Sequence, residues 1–168
     1  MSTSVHVNLF THTVTFVTDK MMSSLRRIIV WSGLDPSSLL ANWNDLELGI
    51  KTWLGSRDLT EVTLEVFVSS SGGLVGRWDF DIDYGFGGAD EGDMWVDTDA
   101  IRFAIRKQGL NPAGCSYRII LTTKKDRPDV AGWESATLVS TAGFTRYSIG
   151  TTIGTSGLGT RTAYWRKN

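Results

Sequence analysis

The spacing of apolar residues along the chain changes character several times, and each change predicts an element. Val5, Val7 and Leu9 alternate as on a strand, after which Val14, Val17, Met21, Leu25 and Ile28 recur at three and four. That second spacing places them on one face of a helix running from about Thr11 to Ser32. Gly33 suits the position just past a helix end, and Asp35-Pro36 suits the start of the next one. In that next helix Leu39, Trp43, Leu46, Ile50 and Trp53 again form one stripe, closed by Gly55. From Glu61 the period becomes two. Val62, Leu64, Val66 and Val68 share a face, "SSSGG" supplies a turn, and Trp78, Phe80, Ile82 and Tyr84 share a face on the way back, which predicts a hairpin. After a Gly-rich, acidic loop, "DTDAIRFAIRKQG" predicts a helix capped near Asp97, with Ile101, Ala104 and Ile105 inward and Gly109 at its end. "SYRIILTT" predicts a strand with Tyr117, Ile119 and Leu121 on one face. The order of elements implies an α+β fold of two layers, with three helices on one face of a small antiparallel sheet.

The last segment fits neither pattern cleanly. "STAGFTRYSIGTTIGTSGLGTRTAYWRKN" is rich in Gly, Ser and Thr, yet Tyr147, Ile149, Thr151 and Ile153 alternate with smaller residues, and Tyr164-Trp165 lie near its end. A strand with so thin an apolar face and so many glycines offers little area to offset the entropy of ordering it. It is expected to dock marginally and to be able to leave, exposing a sheet edge to which another chain's strand can add.

Composition narrows the function classes. The 168 residues suffice for one domain around one core, and 41% hydrophobic with 21% charged residues is ordinary for a globular chain. No apolar run approaches the roughly 20 residues of a membrane span. "MSTSVHVNLF" lacks the pattern of a signal peptide and the single Cys115 has no partner for a disulfide, so a cytoplasmic chain is expected. A net charge of −1 argues against nucleic acid as the main partner. The charge is uneven, however: the segment from Arg77 to Asp99 is strongly acidic, and that from Lys124 to Asn168 has a basic excess.

Candidate catalytic and metal chemistry is thin. "WDFDIDYG" places Asp79, Asp81 and Asp83 at the spacing that opens an EF-hand loop, but Tyr84 stands where that loop needs Gly and the acids interleave with strand aromatics. They are expected to be solvated on the outer face. "GTSGLGTR" has P-loop glycine spacing with Thr160 in place of the Lys, and no helix follows. His6 and His12 have no zinc-spaced partners, and Cys115 reads as a structural thiol. No cofactor is implied and no enzymatic activity is supported. The alternatives to a binding module are a metal-dependent enzyme using the acidic Asp79–Asp99 region, or a self-assembling structural module.

The strings "THTVTFVTDKMMSSLRRIIVWSGLDP", "IKTWLG", "GRWDFDIDYG", "RPDVAGW" and "AYWR", in that order, resemble the bacterial HORMA-domain proteins of CBASS anti-phage operons. The resemblance implies one HORMA domain over residues 1–168: an N-terminal segment at 1–10, a core at 11–123, and a mobile C-terminal safety belt at 124–168. It implies a switch between open and closed forms in which the belt wraps a closure-motif peptide added beside "SYRIILTT". The peptide-binding residues it points to are Tyr117, Ile119 and Leu121 on the receiving strand, with Phe144, Tyr147, Ile149, Ile153 and Trp165 in the belt. The peptide-bound form would activate a cGAS-like nucleotidyltransferase, and an AAA+ remodeller ATPase would reset it by pulling on a handle at Ser2, Thr3, Ser4 and Val5. The strand bearing Asp79, Asp81 and Asp83 would be the edge that the closed belt joins, with Arg146 and Arg161 as charge partners.

Overall fold

A computed structural model describes residues 9–90 and 92–168. Four helices and six strands follow one another as α1 (Leu9–Trp31), α2 (Ser37–Ala41), α3 (Trp43–Gly55), β1 (Leu59–Val68), β2 (Leu74–Asp83), β3 (Met94–Val96), α4 (Thr98–Gln108), β4 (Cys115–Thr123), β5 (Phe144–Thr155) and β6 (Leu158–Lys167). The strands form one antiparallel sheet in the order β3-β5-β6-β2-β1-β4. The helices cover one face. The fold class read from the pattern holds, with two differences. The expected second helix is two, because Asn42 leaves helical geometry (φ −106, ψ 13) and turns its side-chain amide back onto Ser38 O at 2.9 Å. The sheet also gains β3 and the two belt strands.

α1 is the centre of the core. Val17, Met21, Met22, Leu25, Ile28 and Ile29 are all fully buried, packed against the sheet, α3 and α4, while Asp19, Arg26 and Val30 mark an exposed stripe. Each such side chain contributes roughly 1.5–3 kcal/mol of burial free energy. Val62, Leu64, Trp78, Phe80 and Tyr164 meet it from the sheet. α4 is capped as its sequence predicts: the Asp97 side chain accepts from Ala100 N at 3.0 Å, and Gly109 ends it.

The belt strands are better packed than their composition suggests. β6 pairs with β2 from Gly76–Arg166 to Asp83–Gly159, and β5 lies outside β6. Ile153, Leu158 and Tyr164 are buried, together with Thr152, Thr155, Thr160 and Thr162. The hydroxyls are largely accommodated within the hairpin: Thr152 Oγ1 meets Thr162 Oγ1 at 2.7 Å, and Thr155 Oγ1 donates to Leu158 O at 2.6 Å. The register slips between Ser148 and Gly150 and again between Thr151 and Ile153. Gly150, at φ 85, supplies the left-handed geometry for the first slip. The "GTSGLGTR" stretch is the β5–β6 turn and runs into a strand, not a helix.

Candidate functional site

Among the described residues β4 is the last strand of the sheet and pairs only with β1, so its outer row of backbone N–H and C=O groups has no strand partner there. Its side chains split between the two faces. Tyr117, Ile119 and Leu121 stand opposite Val66, Leu64 and Val62 and turn to the helices, whereas Arg118 stands opposite Glu65 on the outer face. Tyr117 is held by two bonds at the start of α2: its hydroxyl donates to Asp35 O at 2.7 Å and accepts from Leu39 N at 3.1 Å. Burial, with the nearby charge of Asp35, pushes its phenol above the usual tyrosine range, so it stays a neutral bridge.

Residues 124–143 wrap this edge. Lys124 N donates to Asp58 O at 2.9 Å, Trp53 Nε1 donates to Pro128 O at 2.7 Å, and Trp133 meets Trp53 edge-on at 5.4 Å. Trp133 packs directly against α3 because position 49 is Gly: a Cβ there would stand 2.6 Å from its ring. The chain is therefore on the helix side at Trp133. By Thr137 it is on the outer face, where Thr137 O accepts from Arg118 Nη2 at 2.6 Å and Val139 N donates to Glu65 Oε2 at 2.7 Å. Between these points it passes around the free edge of β4. Beside it lies an open pocket of about 260 Å³ lined by Leu39, Asn42, Asp45 and Leu46 of the helices, Tyr117 and Ile119 of β4, and Trp133.

The structure thus brings Tyr117 and Ile119 to one pocket beside the edge strand, with Leu121 two residues further along the same strand. Phe144, Tyr147, Ile149 and Ile153 are on β5 and Trp165 is on β6, with β2 and β1 between them and β4. Tyr147 stacks on Tyr164 at 5.1 Å, and Trp165 Nε1 donates to Asp79 Oδ2 at 2.8 Å. The handle at Ser2, Thr3, Ser4 and Val5 lies outside the described residues. Asn42, Asp45 and Trp133 went unread as lining; the one signal was a Trp isolated in a polar connector.

The seam between β2 and β6 carries the charges singled out in the sequence. Arg146 Nη2 lies 3.6 Å from Asp81 Oδ2. Both are substantially exposed, which limits the pair to well under ~1 kcal/mol. Arg161 stands opposite Asp81 in register. Asp79 corrects the expectation of a solvated carboxylate: it is 4% exposed, bridged by Arg77 Nε at 2.7 Å and covered by Trp165. Beside it, burial pushes the Glu61 carboxyl up to about 7, reinforced by a hydrogen bond with Asp81 and by the charge of Asp79 and Asp81, against the Thr63 hydroxyl. Glu61 therefore binds its proton more tightly folded than unfolded. Its stabilising contribution is complete below about pH 4.5, falls as pH rises, and is lost once pH passes about 7. Denaturation of wild type and Glu61→Gln at several pH values checks this: the wild type should lose stability relative to the variant between those limits, and a pH-independent difference rejects it. Among the described residues no three His, Cys, Asp or Glu side chains are placed to hold a metal ion. Cys115 is half-buried and free. Among the described residues no helix is long and apolar enough to cross a membrane.

No curated protein matches the sequence. Among solved structures, the fold is shared with a chain of the mitotic checkpoint complex (10% identity, TM-score 0.75, covering 93% of this chain and 99% of that one). It is also shared with C. elegans HTP-1 bound to a HIM-3 closure motif (12%, 0.66, 92% and 89%). A third is the E. coli MS115-1 CdnC:HORMA-deltaN complex (13%, 0.67, 99% and 94%). The model of the family described as bacterial HORMA domain 2 matches residues 2–168, and the chain belongs to that family.

Proposed function

We propose that this protein is a peptide-binding conformational switch. In its closed form a closure-motif peptide adds as a strand to β4 inside the loop made by residues 124–143, and the closed form binds and activates a cGAS-like nucleotidyltransferase in anti-phage defence. The observation that carries the reading is the edge of β4, unpaired among the described residues, beside an open pocket flanked by Trp133 of the wrapping segment. Strand addition supplies main-chain hydrogen bonds, and alternate side chains of the peptide enter the pocket between Leu39, Leu46, Ile119 and Trp133. Tyr117, Ile119 and Leu121 form the receiving strand; Phe144, Tyr147, Ile149, Ile153 and Trp165 act by seating the belt hairpin against β2. With the hairpin docked and the crossover tied to Glu65, a bound peptide is topologically enclosed. Reset therefore needs work on the fold, which an AAA+ remodeller would perform by pulling on Ser2 to Val5.

That the HTP-1 and E. coli neighbours were solved with a closure motif and with CdnC supports the reading by analogy of fold. The test is cyclic-nucleotide synthesis by the nucleotidyltransferase alone, with this protein, and with protein plus peptide. Synthesis should rise only in the third case. Equal rates in all three refute the proposal.

A further inference from the structure

α4 has two faces of unlike character. Ile101, Ala104 and Ile105 are buried, while Phe103 is 66% exposed, Leu110 just beyond the helix 75%, and Val30 on α1 46%. The same two helices carry exposed cations: Arg102, Arg106 and Lys107 on α4 and Arg26 on α1. The acid on this face of the helix, Asp99, is already paired with Arg102 at 3.0 Å. Arg102 lies 4.9 Å from the Trp31 ring, and Lys107 lies 5.8 Å from that of Phe103. These cations are thus laid over aromatic surface. On the other flank of the helix C-terminus, a cavity of about 200 Å³ is lined by Gln108, Leu110, Trp165, Arg166 and Lys167. Gln108 Nε2 is buried there without an acceptor among the described residues. Around the end of α4, then, exposed apolar anchors stand among exposed cations, with an unused donor on the opposite flank. An exposed aromatic among arginines is the composition of an interface centre, and its charge selects an acidic partner.

The face is also wired to the belt. α4 begins directly after β3, whose Val96 pairs with Ile153 of β5, and Asp97 N donates to Thr152 O at 2.6 Å. The first turn of the helix that bears Phe103 is therefore built onto a belt strand, and releasing β5 removes its support.

We propose that the Phe103-centred face of α4 is a docking surface for an acidic surface of a partner protein, presented when β5 is docked; resting on the function proposed above, that partner is the nucleotidyltransferase. A nucleic acid is the poorer occupant, because a patch centred on Phe103 and Leu110 has too few cations for its apolar area and the whole chain carries −1.

Peptide-loaded wild type, Phe103→Asp, and the triple variant Arg102→Glu/Arg106→Glu/Lys107→Glu are titrated with the nucleotidyltransferase at low and high salt, with peptide affinity measured in parallel. Wild type should bind, and more weakly at high salt. Phe103→Asp should weaken binding on the order of tenfold or more, and the triple reversal should abolish it, both with unchanged peptide affinity. Variants that bind as tightly as wild type overturn this inference and leave the functional reading standing. A wild type that does not bind the enzyme at all overturns both. Oligonucleotide binding that the reversal abolishes, with enzyme binding retained, assigns the face to nucleic acid and also overturns it.

Discussion

Gly154→Ala should destabilise the domain by about 1–3 kcal/mol, against the usual sign of such a change. Gly154 sits in β5 without a positive φ, so alanine is compatible with its backbone. On that ground alone it would stabilise by about 0.4–1 kcal/mol through the unfolded chain. The opposing term is Trp95 on β3, whose ring lies directly on the Gly154 backbone: an added Cβ would stand 2.8 Å from Nε1 and closer still to the ring carbons. Either the indole moves or β3 parts from β5. The neighbouring contact repeats the device, since a Cβ at Gly159 would stand 2.7 Å from Phe86, and Phe86 meets Trp95 edge-on at 6.1 Å. The acidic loop between β2 and α4 thus ends in an aromatic clasp over the belt turn, where Gly157 N also donates to Phe86 O at 3.0 Å. The decisive measurement is a double-mutant cycle by urea denaturation. In a Trp95→Ala background Gly154→Ala should become neutral or stabilising, and hydrogen exchange at residues 150–155 should accelerate only in the single glycine mutant relative to its parent. Gly55→Ala, with open space at its Cβ, serves as the control. A Gly154→Ala cost that persists without Trp95 disproves the clasp.

The clasp also shows why part of this molecule was hard to read in sequence. α1, α4 and the β1–β2 hairpin are specified by local spacing, and the pattern placed them within a few residues. The stripe from Leu39 to Trp53 stays in phase across Asn42, so nothing in its period marks the break between α2 and α3. β3 is three residues long, Met94 to Val96, and is held by a partner strand that comes almost sixty residues later. In β5 the two register slips bring Thr152 and Ile153 to the interior together, which breaks the alternation that a period of two requires. Four buried threonines complete the effect. They count as polar in a pattern, yet their branched side chains fill space and their hydroxyls bond mainly inside the hairpin, so the apolar face looked thinner than it is. At the site, alternation on a strand makes the shared face of Tyr117 and Ile119 legible, while their role as receiving residues is implied only by the family resemblance. Trp133 and its seat on Gly49 were not, since that pairing joins a connector to a helix some eighty residues away.

Glu65→Ala should be the most disruptive single change to the crossover of the belt, with a loss of about 2–3 kcal/mol. Glu65 is 0% exposed, on a face where a carboxylate would ordinarily be wet, because the belt lies over it. One of its oxygens accepts from Arg118 Nε at 2.6 Å and the other from Val139 N at 2.7 Å. Among the described residues it is the one side chain hydrogen-bonded both to β4 and to the segment that wraps it. Hydrogen bonds to a charged group are worth about 1.5–3 kcal/mol each, and the desolvation of the carboxylate offsets part of that sum. Removing a fully buried ion-pair partner can cost 3–5 kcal/mol, but here the orphaned groups are not trapped: Arg118 is 40% exposed and regains water. The loss should therefore fall below that range, and well above that of Arg146→Ala, whose pair with Asp81 is exposed. Glu65→Gln should lie between, because it keeps the shape and one neutral acceptor. Urea denaturation gives the ranking and amide exchange at 134–143 the location. If the belt retains a bound peptide by closing this crossover, peptide dissociation from Glu65→Ala should quicken by more than the tenfold that about 1.4 kcal/mol represents, while Arg146→Ala dissociates much as wild type does. Equal dissociation from both variants would show that the crossover over Glu65 does not gate the edge of β4.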